Sequence, residues 1–161
     1  MLKEKILQNL NAALKEKKGL ETSVLRMLLA AILNKEKEKR YRIFKETSNL
    51  PFAAARLTDE EIIEVISAEA KKRRESIEGF QKGNRQELAD KEKKELEILE
   101  KYLPEQLSQE ELKKLVQEAI AKVGAKEMRD MGKIMQELMP KIKGKADGSS
   151  VSKTVKELLG Q

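Results

Sequence analysis

Apolar residues recur along this chain at steps of three and four, the spacing that places side chains on one face of an α-helix. The clearest such stripe predicts a helix that begins near Met128 and ends near Ile142. The apolar members of that stripe are Met128, Met131, Ile134, Met135, Leu138, Met139 and Ile142. Similar stripes predict further helices, and no stretch alternates apolar and polar residues as a half-buried strand does. The pattern therefore predicts an all-α, multihelical protein.

The stripes predict four helices before Leu103 and three helices after it. We expect them at Leu2 to about Lys17, from about Glu21 onward, Thr58 to Lys82, about Arg85 to Tyr102, Ser108 to Gly124, Met128 to Ile142, and Ser149 or Ser150 to Leu159. Pro104 disfavours helix in the residue before it, so it marks a domain boundary. The sequence thus predicts a four-helix N-terminal domain, residues 1–103, and a three-helix C-terminal domain, residues 104–161.

Two capping boxes support the predicted helix starts. The N-cap residues are Thr58 and Ser108, and the N3 residues are Glu61 and Glu111. In a capping box, each of these two side chains accepts a hydrogen bond from the backbone N–H of the other residue. Gly144 follows the methionine-rich stripe and is suited to a left-handed C-cap. These signals predict well-defined helix ends on both sides of Pro104.

A segment over residues 45–56 lacks a helical stripe and contains Pro51, so we predict a mobile, easily cut loop. Within it, Leu50 and Phe52 are apolar enough to dock onto the core. Gly132, inside the predicted methionine-rich helix, suggests either a close approach of another backbone or a packing position, and packing is favoured.

Two basic stretches on helices each allow two interpretations. Residues 35–42 are typical of a solvated helical extension, which we favour, or of a basic strip that faces a polyanion. In residues 71–74, four successive cations spread over more than one helix face. We expect Arg73 or Arg74 to pair with a carboxylate of a neighbouring helix rather than with a ligand.

Composition excludes several kinds of chemistry. The 161 residues include no cysteine and no histidine, which excludes disulfides, thiolate nucleophiles, His- or Cys-ligated metals and the Ser-His-Asp arrangement. No convergent acid–base pair is evident, so we predict no catalytic residue, no metal site and no cofactor. Aromatic residues make up 3% of the chain, which argues against base-stacking platforms.

The chain carries 34 Lys and Arg against 28 Asp and Glu, a formal net charge of +6. This basic excess favours approach to nucleic acid only weakly. The N-terminal sequence lacks the apolar core of a secretion signal, and the apolar run 27–33 is too short to cross a bilayer. We therefore expect a soluble, cytoplasmic protein without membrane association.

Three lysines cluster on the turn between the last two predicted helices: Lys141, Lys143 and Lys145. Gly144 and Gly148 allow close backbone approach, and a helix N-terminus after Gly148 would offer N–H groups to a phosphate. A phosphate-binding loop is excluded because the preceding strand and the Gly-x-x-x-x-Gly-Lys-Ser/Thr spacing are absent. The lysines are equally typical of a solvated surface, and both interpretations stay open.

Three motifs of this region resemble the tail domain of the B subunit of glutamine-dependent aspartyl/glutamyl-tRNA amidotransferases. They are residues 130–133 (Asp-Met-Gly-Lys), residues 144–148 (Gly-Lys-Ala-Asp-Gly), and the pair Val151 and Val155. The whole chain resembles the free-standing GatB/YqeY-type proteins. The matching N-terminal pieces are residues 1–4, 24–28, 72–77 and 102–107.

The resemblance implies a fold and a set of expectations about function. In the complete enzyme the tail implies tRNA binding, so tRNA or another structured RNA is the expected partner. The RNA-binding residues carried over by the motifs are Lys133, Lys141, Lys143, Lys145, Gly144 and Gly148. The family-level activity is carbon–nitrogen ligation with glutamine as amido-N-donor, but this chain has neither an amidase motif nor an activating domain. We expect no catalysis by this chain alone.

An alternative interpretation is a protein–protein adaptor. In that case the methionine-rich domain would dock an amidotransferase or aminoacyl-tRNA synthetase subunit, because methionine stripes form adaptable grooves.

Overall fold

The computed structural model describes residues 1–46 and 55–160, and every regular element in these ranges is helical. The all-α prediction is confirmed. The helices are α1 (Leu2–Lys15), α2 (Gly19–Glu46), α3 (Asp59–Lys82), α4 (Gln86–Glu100), α5 (Gln109–Val123), α6 (Met131–Ile142) and α7 (Gly148–Leu159). A short 3₁₀ turn, Met128–Asp130, precedes α6. The docking predicted for Leu50 and Phe52 falls outside the described residues.

The chain divides into two compact units, Met1–Tyr102 and Leu103–Gln161. Helices α1 to α4 belong to the first unit, and helices α5 to α7 belong to the second. Each unit has its own buried aliphatic residues.

The core of the first unit is built mainly from α2 and α3. Rows at helical spacing bury one face of each helix, because such rows repeat once per turn. The fully or almost fully buried members are Val24, Leu25, Leu28 and Ile32 of α2 and Ile62, Ile66 and Ala70 of α3. Ile6 and Ala13 of α1 and Ala89, Ile98 and Leu99 of α4 complete this core.

The basic stretch on α3 pairs with α4, as the sequence predicts. An Arg73 Nη lies 2.9 Å from a carboxylate oxygen of Glu95 and another lies 3.4 Å from Glu92. An Arg74 Nη lies 2.8 Å from a carboxylate oxygen of Glu100. The Arg73 pairs are largely buried, whereas the Arg74–Glu100 pair is about one-third exposed. Charges at the edge of a core would be costly to leave unpaired.

The core of the second unit lies among α5, α6 and α7. Its buried residues are Leu112, Val116, Ala119, Ala125, Ile134, Leu138, Ile142, Val151 and Val155. The methionine stripe is only partly core. Met131 and Met135 pack against the cluster, whereas Met128 and Met139 are 48% and 50% exposed. The predicted helix also begins later, because Met128 lies in the 3₁₀ turn.

Two glycines behave differently from their predictions. Gly132 is exposed, and apart from its chain neighbours and the backbone of its own helix, no heavy atom of the described residues lies within 4 Å of the position its Cβ would occupy. It therefore neither admits another backbone nor occupies a tight packing position. Gly19 lies before the helix start predicted near Glu21, but it begins α2, and α1 ends at Lys15 rather than near Lys17.

Candidate functional site

The basic corner, residues 141–148, joins the end of α6 to the start of α7. Gly144 has a φ of +74°, so the left-handed conformation predicted after this helix is confirmed. The N–H groups of Lys145 and Ala146 both donate to the carbonyl of Ile142, at 2.8 and 3.1 Å. Glycine is suited to this position because an L side chain there is strained. The corner is consequently a tight, hydrogen-bonded turn.

The segment that leads into α5 holds the corner in place. The Leu107 N–H donates to the carbonyl of Lys145 at 2.8 Å. The Gln106 amide nitrogen donates to the carbonyls of Gly144 and Pro104, at 2.7 and 2.8 Å. These contacts satisfy carbonyls that the left-handed turn leaves without helical partners. Gln106 belongs to residues 102–107, which carry the resemblance, but the sequence did not reveal its contact, because that contact joins positions 38 residues apart.

Asp147 caps α7, which corrects the prediction of Ser149 or Ser150. Its carboxylate accepts a hydrogen bond from the Ser150 N–H at 3.2 Å and another from the Ser149 hydroxyl. The helix begins at Gly148, so the N-cap falls one residue before it, and Asp is as good an N-cap as Ser. A carboxylate thus already occupies this helix N-terminus, and its charge opposes a phosphate there.

The three corner lysines have exposed side chains. The Lys141 ammonium lies 3.4 Å from a Glu137 oxygen that also contacts the Lys122 ammonium of α5 at 2.6 Å. The hydrogen bond from Lys122 holds the pKa of Glu137 below its usual range. Lys122 is therefore a cation near the corner that the sequence motifs did not identify. Within the described ranges, the Lys145 ammonium forms no ion pair.

Lys133 lies apart from the corner. It precedes Lys141 by eight residues on α6, a distance of about 12 Å along the helix axis. Its ammonium lies 3.1 Å from a carboxylate oxygen of Asp130, and this contact lowers the pKa of Asp130. The structure thus brings Lys141, Lys143 and Lys145 together with the two glycines, but not Lys133.

Within residues 1–46 and 55–160, no group of three or more acidic side chains is arranged to hold a metal ion. In the same ranges, none of the helices combines the length and the apolar composition needed to cross a membrane. The corner offers exposed ammonium groups on a fixed backbone. Exposed ammonium groups attract anions.

Comparisons with known proteins identify relatives of this chain. Altered inheritance of mitochondria protein 41, mitochondrial, from Pyrenophora tritici-repentis is 34% identical over 107 residues, which are 64% of this chain and 58% of that protein. An uncharacterised protein of Schizosaccharomyces pombe is 39% identical over 51 residues, 32% of this chain and 42% of that protein. The chain thus spans about half the length of these curated relatives. A family model described as Yqey-like protein matches residues 3–159, and the chain belongs to that family.

Proposed function

We propose that this protein binds folded RNA through the basic corner and catalyses no reaction by itself. The observation that carries the proposal is the combination of a pinned backbone with exposed cations. The carbonyls of Gly144 and Lys145 are held by residues 106 and 107, while the lysine side chains at 141, 143 and 145 point away from the core.

A pinned basic turn suits folded RNA for two physical reasons. Proteins recognise RNA helices largely through shape and through phosphate and sugar contacts. A small, rigid cluster of cations can therefore recognise an RNA helix. Lysines that neutralise phosphates release counterions, which supplies most of the binding free energy at low salt. The resemblance to the amidotransferase tail makes tRNA the expected class of RNA. A cytoplasmic location is part of the same proposal.

The test is a salt titration of tRNA binding, measured by fluorescence anisotropy. We expect the logarithm of affinity to fall with the logarithm of salt concentration, by about 0.7 to 0.9 per phosphate contacted. A triple variant with glutamate at Lys141, Lys143 and Lys145 should bind at least about tenfold more weakly, because three attractive contacts become repulsive.

A matched control reverses the same number of charges elsewhere. Lys82, Lys94 and Lys101 are exposed residues of the first unit and have no part in the corner. Their triple glutamate variant has the same net charge as the corner variant. Equal weakening by both variants, or an affinity independent of salt, would overturn the proposal.

A second candidate function is supported by the exposed methionines. Met128 and Met139 are about half exposed, beside the partly buried Met131 and Met135. Methionine side chains adapt to irregular surfaces, so this strip suits a protein partner such as an amidotransferase or synthetase subunit. If the strip binds such a partner, the full chain should pull that partner down even after RNase treatment. Met139→Asp should abolish this interaction. Leu14→Asp, at a similarly exposed site on α1, is the control, and equal retention by both variants would exclude the adaptor function.

A further inference from the structure

The C-terminal half of α2 presents a face that mixes aromatic, apolar and basic side chains. We name it the basic-aromatic face and define it as Leu33, Lys37, Arg40, Tyr41 and Phe44. At 3.6 residues per turn these positions fall within about 100° of the helix surface. All five are exposed, and the exposed fractions of Leu33, Tyr41 and Phe44 are 48%, 61% and 67%.

The charge on this face has one sign. No Asp or Glu of α2 falls inside the arc, and Glu36 lies at its edge. The Glu36 carboxylate lies 2.7 Å from the Lys3 ammonium and accepts a hydrogen bond from the Leu57 N–H at 3.4 Å. Its charge is therefore largely compensated within the first unit. The Lys45 ammonium adds a further cation, 5.2 Å from the centre of the Tyr41 ring.

A shallow groove continues the face toward the start of α3. It has a volume of about 150 Å³ and is lined by Leu33, Glu36, Lys37, Arg40, Ala55 and Arg56. Ala55 is buried and Leu33 is partly exposed, so the floor is apolar. Three cations outnumber the one carboxylate, Glu36, among the other lining residues. An apolar floor with a cationic rim accepts a flat, uncharged ring that carries an anionic group.

We propose that the basic-aromatic face binds a single-stranded stretch of nucleic acid, with bases against Tyr41 and Phe44 and phosphates against Lys37, Arg40 and Arg56. This inference rests on the proposed function, because a folded RNA held at the basic corner supplies unpaired loops and ends. Every base has a π-face, so aromatic rings bind single strands with little sequence preference. Composition alone argued against such a platform, but two of the chain's five aromatic residues are exposed on this one helix.

The arrangement fits a single strand better than a protein or a membrane. The cores of protein interfaces are depleted in lysine, whereas here Lys37 and Arg40 lie between the apolar residues. A helix that lies in a membrane surface separates its apolar side from its cations, and this face intermixes them. Two exposed rings beside two cations can contact neighbouring bases and phosphates of one strand.

The experiment uses fluorescein-labelled ten-nucleotide homopolymers of uridine and of adenosine, with the full chain and fluorescence anisotropy. We expect Tyr41→Ala and Phe44→Ala each to weaken decamer binding about tenfold, the loss of one stacked base. Lys37→Glu should weaken it and lower the salt slope by about 0.7, the loss of one phosphate contact on a single strand. Because these side chains are exposed, the variants should fold.

Two matched controls locate the effect. Leu14→Ala removes a side chain of α1 that is 43% exposed and should leave decamer binding unchanged. Lys82→Glu makes the same charge reversal as Lys37→Glu. Lys82 lies at the far end of α3, roughly 32 Å along that helix from Glu61. Glu61 pairs with Lys39 of α2, so it marks the end of α3 that lies near the face.

Several outcomes would overturn the inference, and they differ from failure of the proposed function. Wild-type protein that binds tRNA but neither decamer would overturn the single-strand site alone. The same holds if decamer binding is lost in the corner triple variant but kept in Tyr41→Ala and Phe44→Ala. Anionic phosphatidylserine vesicles or an acidic peptide that bind with the same sensitivity, while the decamers do not, would assign the face to those partners instead.

Discussion

Gly144 and Gly132 show how one backbone angle decides what a glycine contributes. Gly144 has a φ of +74°, where an L residue is strained by about 1–2 kcal/mol. Gly132 lies inside α6 and is exposed, and a Cβ there would meet no described residue outside its own helix. At that position glycine costs about 0.5–1 kcal/mol relative to alanine, since it gains conformational entropy in the unfolded chain.

The two alanine substitutions should therefore have opposite effects. Gly144→Ala should lower the free energy of unfolding by about 1–2 kcal/mol, and Gly132→Ala should raise it by about 0.5 kcal/mol. Urea unfolding followed by far-ultraviolet circular dichroism measures both, and each variant serves as the control for the other. A loss of stability in Gly132→Ala would show that this glycine has a packing role after all.

Gln106 tests whether the pinned backbone matters for binding. Gln106→Ala removes two hydrogen bonds, to the carbonyls of Gly144 and Pro104, and should lower the free energy of unfolding by about 1–3 kcal/mol. It should also weaken tRNA binding although no charge changes, because the corner loses its support. Gln117→Ala, at an exposed position of α5, should change neither quantity. Unchanged tRNA affinity in Gln106→Ala would mean that the lysines act without a fixed backbone.

At the scale of helices, the sequence predicted the features that depend on neighbouring residues. Both capping boxes are confirmed: Thr58 caps α3 with Glu61 at N3, and Ser108 caps α5 with Glu111 at N3. The left-handed C-cap at Gly124 also follows from its position after the last apolar residue of α5. A cap involves residues within one turn, so the residues that determine it are visible in a short stretch of sequence.

Features that depend on distant residues were predicted less well. The methionine stripe is wider than the surface that α5 and α7 cover, so the row Ile134, Leu138 and Ile142 is buried while Met139 is not. Periodicity marks a helix face but does not say how much of it a neighbour covers.

In the candidate site, the sequence motifs identified the lysines and the glycines. The hydrogen bonds from Gln106 could be seen only in the folded chain.

Glu137 links α5 to α6 and reduces the positive charge beside the corner. Its carboxylate contacts Lys122 at 2.6 Å and Lys141 at 3.4 Å. Glu137→Gln removes this negative charge and leaves both ammonium groups available to a phosphate. If the basic corner binds RNA, the substitution should tighten tRNA binding by about two- to fivefold at low salt.

The control for this prediction is Glu118→Gln, an exposed position of α5. It makes the same change in net charge and should have little effect on tRNA affinity. Equal tightening by the two variants would show that net charge rather than the corner governs binding. Weaker binding in Glu137→Gln would show that the carboxylate orients Lys141 rather than competes with RNA.

For the whole molecule, the 34 Lys and Arg residues overstate the number of cations that are available to bind an anion. Several lysines and arginines are engaged by carboxylates across helices, including the Arg73, Lys39 and Lys122 pairs. The sequence gives the count of charges, but only the packing of helices shows which of them face each other. The described charge pairs within each unit also make the stability of the protein depend on pH.

Carboxyl groups in both units have pKa values lowered by their contacts. Glu61 is lowered chiefly by its hydrogen bond from Lys39, and Glu111 by its hydrogen bond from Ser108. Asp130 is lowered chiefly by Lys133, and Glu137 by Lys122. Because the folded state favours the ionised form of each group, their stabilising contributions are complete above the ordinary carboxyl pKa of about 4.5.

We therefore expect the free energy of unfolding to be level between pH 7 and about pH 5 and to fall as the pH drops below 4.5, since each carboxylate must be protonated. Urea midpoints at pH 7, 5, 4 and 3 measure this. Lys39→Met removes the main cause of the lowered Glu61 pKa, so it should flatten the decline, and Lys82→Met, at an exposed position, should not. Stability that is constant down to pH 3 would mean that these contacts persist equally in the unfolded chain or contribute nothing to folding. An equal decline in wild type and Lys39→Met would assign the pH dependence to the other carboxylates.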